Sequence, residues 1–159
     1  MKQEELVANI LKDKGLTIAV AESCTGGLIA NRLTDIEGAS KYFMAGFVTY
    51  SNESKSKFLK VPSELIMEKG AVSHEVAYKM AEGVRHVTGV DIGISSTGIA
   101  GPSGGTKEKP VGTVYIGISG KDGTFVKKLS LRGSRVNIKK QTSDEVLKMI
   151  LEYIEGRLM

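Results

Sequence analysis

The chain has 159 residues, of which 41% are hydrophobic and 25% charged, with a formal net charge of +4. That length suits one domain, 1–159, with a real buried core, and no apolar run approaches the ~20 residues of a membrane-spanning helix, so no such helix and no membrane partner is expected. The lone cysteine, Cys24, excludes a disulfide framework, and an acidic, amphipathic start unlike a signal peptide points to a cytoplasmic protein.

In chain order, Glu4 to Lys14 reads as a helix with Leu6, Ile10 and Leu11 on one face, stopped by Gly15. The apolar run Leu16–Ala21 reads as a buried strand, and Gly26 to Leu33 as the helix after it. Tyr42 to Tyr50 is apolar and aromatic, hence a strand expected at the centre of the sheet. Asn52 to Leu59 and Ser63 to Lys69 follow as short helices, the second opened by Pro62. Ser73 caps a helix, Glu75–Thr88, with Val76, Met80, Val84 and Val87 at helical spacing. Val90 to Thr97 is a further buried strand, ending in the glycine-rich loop from Gly98 to Thr106. Val111–Ser119 and Thr124–Leu131 form a hairpin around Lys121-Asp122-Gly123, and Val136 to Leu158 is a closing helix. Helices alternating with strands, plus one hairpin, predict a three-layer α/β/α sandwich with a mixed, mostly parallel sheet.

Ligands of such sheets bind at the carboxyl ends of parallel strands. Three segments fall there if the first three strands are parallel: Ser23–Gly27, Tyr50–Lys55 and Thr97–Gly105. In the first, Ser23, Thr25, Gly26 and Gly27 sit at a strand-to-helix seam, where backbone N–H groups can hold an anion or an acyl-transfer oxyanion. Plain helix capping accounts for the same residues. His74 and His86 are 12 residues apart on one helix, and no metal-ligand spacing exists, so neither a metal nor a cofactor is expected. With histidine an improbable base, a serine nucleophile would need lysine, and Tyr50 and Lys55 leave one strand end together. The glycine-rich loop is neither a Walker A loop nor a dinucleotide fingerprint. Its amides, with the hydroxyls of Thr97, Ser103 and Thr106, suit a polar ligand. The basic residues, densest at Lys121, Lys127, Lys128, Arg132, Arg135, Lys139 and Lys140, are not interleaved with aromatics, so no nucleic-acid partner is expected.

Taken together, AESCTGG, YSNESK and STGIAGPSGGTKEKPVGTVY resemble the CinA C-terminal domain family, the nicotinamide-nucleotide amidohydrolases, in order from about Leu6 to about Leu151. The resemblance implies a three-layer α/β/α fold. It also implies hydrolysis of the carboxamide of nicotinamide mononucleotide to nicotinate mononucleotide and ammonia, without a cofactor. It makes Ser23 the nucleophile, Lys55 its base and Tyr50 their neighbour, with backbone N–H groups near Cys24–Gly27 for the oxyanion. Thr97 with Gly98, Gly101, Gly104 and Gly105 would line the nicotinamide and ribose end, and Arg135 would hold the phosphate. Where the family reads Gly-Asp-Arg and a later arginine, this chain has Ser134 and Lys139, and lysine lacks the arginine fork. The resemblance further implies a homodimer, for which the apolar segment Tyr42–Phe47 and the hairpin Val111–Leu131 offer surface, and a chain that starts at the first helix is read as the stand-alone form of the domain. A non-catalytic nucleotide-binding or regulatory domain is the alternative.

Overall fold

Helix α1 (Gln3–Lys14) ends at Gly15, whose φ of 64° lets its amide bond back to Leu11 and Lys12, the left-handed stop that glycine adopts at least cost. The structure is a computed structural model and describes residues 1–158. Strand β1 (Ile18–Glu22), helix α2 (Leu28–Thr34), a 3₁₀ turn (Ala39–Lys41) and strand β2 (Phe43–Val48) follow. Helices α3 (Asn52–Leu59), α4 (Ser63–Lys69) and α5 (His74–Thr88) lead to strand β3 (Ile92–Gly98). The hairpin of β4 (Thr113–Gly120) and β5 (Gly123–Ser130) then precedes α6 (Arg135–Ile154). Ser51, Ser73 and Ser134 cap α3, α5 and α6, each accepting from the amide three residues on.

The sheet order is β2-β1-β3-β4-β5. β1 pairs parallel with β2 and β3, while β4 runs antiparallel to β3 and β5. Four of the five strands therefore point the same way, as the α/β pattern predicts. One core joins α1, α2 and α6 to one face of the sheet, with Val7, Leu11, Ile29, Leu33, Ile138 and Leu147 in it. The other joins α3, α4 and α5 to the opposite face, through Leu59, Ile66, Val76, Met80 and Val84. Helix α5 lies close on the sheet because Gly93 and Gly117 lack side chains: a Cβ on Gly93 would come 2.4 Å from the Ala81 carbonyl oxygen.

Two expectations need correction. The buried face of α1 is Val7, Ala8 and Leu11, whereas Leu6 is 41% exposed. Strand β2 is an edge strand, not a central one. Its residues alternate: Ala45 and Phe47 pack on the second core, while Met44 and Val48 are exposed. Two-sided burial belongs to the interior strands: all five residues of β1 are buried, and six of the seven in β3, the middle strand.

Candidate active site

Successive strand residues face opposite sides of a sheet, and β1 uses this to divide two adjacent polar residues. Glu22 points toward α2. Ser23, one residue on, falls on the α3–α5 side, level with Thr49 beyond β2 because Val48 pairs with Glu22 and the Thr49 amide donates to the Glu22 carbonyl at 2.8 Å. Lys55, on the first turns of α3, reaches back under Ser23. Its Nζ donates to Ser23 Oγ at 3.0 Å, to the Thr49 carbonyl at 2.6 Å and to the Tyr50 carbonyl at 3.4 Å. Lys55 is 1% exposed and Ser23 8%. Burial draws the Lys55 pKa below the usual lysine range, since a desolvated ammonium is disfavoured against the neutral amine; the neighbouring Cys24 opposes this more weakly. The three contacts fit both protonation states. An ammonium donates all three, whereas a neutral amine donates to the two carbonyls and turns its lone pair to the serine hydroxyl.

The sequence reading missed Glu22. Its carboxylate is fully buried and accepts from the amides of Gly27 (3.2 Å), Ile29 (3.0 Å) and Ala30 (2.9 Å) and from Thr25 Oγ1. Thr25 Oγ1 also lies 2.8 Å from Ser96 Oγ. The signal was present as an acidic residue closing an otherwise apolar strand just before a helix, where carboxylates find unpaired amides. The finding corrects the expectation that the α2 N-terminus receives a ligand anion, because Glu22 already fills it. The amides of Cys24 and Thr25 are different: no oxygen among the described residues accepts from either. They follow Ser23 on the tight turn that Gly26 (φ 59°) and Gly27 (φ 104°) permit. The amide directly after a turn nucleophile is the position an oxyanion needs.

The other expected site residues divide. The Thr25 and Thr97 hydroxyls are buried and spent inside the protein, Thr97 donating to the Ala71 carbonyl at 2.8 Å, so neither side chain is free for a ligand. Gly98 and Gly101 make room for Val114 and Val111, a packing reason for glycine. Gly104 and Gly105 lie on the exposed part of that loop. Tyr50 hydrogen-bonds Lys55 only through its carbonyl; the residue is 61% exposed and its hydroxyl accepts from Arg135 at 2.8 Å. Arg135 also donates to the Gly101 carbonyl at 2.7 Å, bridging the glycine-rich loop and the Tyr50 loop over the cleft. One turn on, Lys139 Nζ stands 3.5 Å from where a Cβ on Gly26 would lie. Among the described residues neither cation is in an ion pair. Cys24 is buried, which pushes its thiol up to about 12, and His74 and His86 are exposed on α5. Among the described residues no three His, Cys, Asp or Glu side chains gather as metal ligands would.

Residues 1–154 match the CinA C-terminal domain family. The chain belongs to the CinA C-terminal domain family. A CinA-like protein of Geobacter sulfurreducens is 53% identical over 153 residues, covering 96% of this chain and 36% of that protein. The chain spans 36–38% of the length of the first curated relatives it matches. Among solved structures, the competence/damage inducible protein CihA of Agrobacterium tumefaciens superposes with a TM-score of 0.89 at 36% identity over 95% of each chain. The competence damage-inducible protein A (ComA) of Klebsiella pneumoniae gives a TM-score of 0.92 at 30% identity over 98% of each. This CinA-family domain thus shares its whole α/β/α architecture with solved relatives. Among its described residues no helix is long and apolar enough to cross a membrane.

Proposed function

We propose that this CinA-family domain is an amidase that hydrolyses the carboxamide of nicotinamide mononucleotide through a Ser23–Lys55 pair. The observation that carries the reading is the buried 3.0 Å contact between Lys55 Nζ and Ser23 Oγ, with the lysine pKa lowered by burial. A passive nucleotide cradle has no use for a desolvated lysine under a serine. Neutral Lys55 takes the Ser23 proton as Oγ attacks the carboxamide carbon. The amides of Cys24 and Thr25 receive the oxyanion. The Lys55 proton leaves with ammonia, and water, giving its proton to the same amine, releases the acid and frees Ser23. Arg135 and Lys139 offer two unpaired cations for the phosphate, while Tyr50, exposed at the cleft mouth, and Gly104 and Gly105 border the nucleoside.

Ammonia release from nicotinamide mononucleotide by EDTA-treated protein, set against Ser23→Ala, tests this directly. Turnover no higher than that of Ser23→Ala refutes it. Arg135 and Lys139 alone would serve a non-catalytic nucleotide binder equally well. Calorimetry followed by recovery of unchanged mononucleotide would favour that second reading.

A further inference from the structure

The Ser23 turn poses a supply problem. A helix start leaves about four amides without partners, and a site that uses two of them must keep the rest from competing for the same oxygen or pulling the turn into another shape. Here the division is sharp. Gly27, Ile29 and Ala30 donate to the Glu22 carboxylate, Leu28 donates to the Thr25 carbonyl and Gly26 to the Ser23 carbonyl. Among the described residues, only the amides of Cys24 and Thr25 in this turn are left without an oxygen acceptor, and they directly follow Ser23. The Thr25 side chain is pinned below, between Glu22 and Ser96, and the Ser23 amide is held by the Ser96 carbonyl at 3.0 Å. Glu22, Thr25 and Ser96 are all 0% exposed. Ser23 and Glu22 lie on opposite sides of the sheet, so the carboxylate acts on the turn from beneath and touches neither Lys55 nor the cleft.

We infer that Glu22 is a positioning residue: with Thr25 and Ser96 it fixes the Ser23–Gly27 turn so that the Cys24 and Thr25 amides converge on the tetrahedral oxyanion. The inference rests on the amidase reading for its reaction but makes a separate claim about which amides are aimed and by what. Glutamine at position 22 retains the length and one acceptor oxygen, yet presents an NH2 to amides that need an acceptor. The turn then relaxes toward pairings that point the two free amides elsewhere. Removing one well-placed oxyanion donor costs about 100- to 1000-fold in turnover, so misaiming two without deleting them is expected to cost about 10- to 100-fold. Substrate binding, made elsewhere, is expected to hold.

The test measures kcat, KM and the inhibition constant of phenylboronic acid, which forms an anionic tetrahedral adduct on a serine, for wild type, Glu22→Gln, Thr25→Val and Thr25→Ser. The expected result is a fall in kcat and a parallel weakening of boronate inhibition in Glu22→Gln, with KM within about threefold and an unchanged pH midpoint. Thr25→Val follows in the same direction by a smaller factor, and Thr25→Ser restores wild-type values because the hydroxyl returns. Thr25→Val is isosteric and leaves the three amide bonds to Glu22, so it decides the matter if Glu22→Gln does not fold. Boronate affinity unchanged in a folded variant overturns the positioning role alone, as does Thr25→Ser no better than Thr25→Val. A wild type that releases no ammonia but loses boronate affinity in these variants overturns the amidase reading and supports the positioning role.

Discussion

Replacing Lys55 by methionine keeps the volume of its stem and removes a buried amine, and the consequence is readable in how stability depends on pH. Lys55 is 1% exposed, and burial holds its pKa below the ordinary 10.5 that it regains on unfolding. Between those two values the native amine is neutral while the unfolded one is protonated, so unfolding takes up a proton. Raising the pH through that window therefore disfavours unfolding, and wild-type stability rises by up to about 1.36 kcal/mol per pH unit from this group. Below the native pKa both states carry the proton, the slope vanishes, and Lys55 contributes least. Above 10.5 both are neutral and the slope vanishes again. Urea unfolding of wild type and Lys55→Met from pH 6 to 10 isolates the effect, since the remaining groups cancel in the difference. The stability difference is expected to move in favour of wild type as pH rises. Turnover is expected to rise with the same midpoint, because the neutral amine is the base. A difference that is flat throughout, or that moves against wild type, would refute the depressed lysine and with it the assignment of Lys55 as base.

Cys24, with its thiol at about 12, holds roughly one thiolate in ten thousand at pH 8. Native protein is thus expected to resist iodoacetamide and Cys24→Ala to keep its turnover; rapid alkylation blocked by substrate would reverse this. The Thr49 hydroxyl is buried without a partner among the described residues. An unsatisfied group costs about 1–3 kcal/mol, so Thr49→Val is expected to gain about 1 kcal/mol in urea unfolding, and a loss would show the hydroxyl to be bonded after all. Arg135→Lys removes the fork that bridges the Gly101 carbonyl and the Tyr50 hydroxyl. The expected outcome is KM for the mononucleotide raised about tenfold with kcat within about twofold, and an unchanged KM would take the phosphate away from Arg135.

Much of this fold was legible because its punctuation is local. Gly15, Ser73 and the serine before Asn52 each satisfy a helix end through their own neighbours, and such signals survive in sequence. The carboxyl ends of β1, β2 and β3 come together as parallel pairing predicts, which brought Ser23 and Lys55 into one cleft. The failures lie where a side chain's role depends on distant partners. YFMAGF reads as a central strand because apolar content alone does not say whether both faces are covered, and β2 has one face open. The hydroxyls of Thr25 and Thr97 looked available because the sequence does not show that Glu22, Ser96 and the Ala71 carbonyl claim them. Glu22 itself escaped notice because a carboxylate at the end of an apolar run reads as a strand end, not as the acceptor for three amides.

Glu22 and Ser23 are consecutive residues with incompatible duties on opposite sides of one strand. A single-residue insertion or deletion within Ile18–Glu22, compensated anywhere downstream of the turn, would deliver the carboxylate to the lysine and the serine to the helix end. Lys55 would then be locked as a charged partner of an acid and α2 would lose its anion. Both halves of the arrangement would fail in one step, with no partly working intermediate. Indels in this strand are therefore expected to be all-or-none, whereas the exposed hairpin tip at Lys121 and Asp122, at the opposite end of the sheet, can change length without moving either residue. A library of such indels scored for turnover would separate the two regions cleanly.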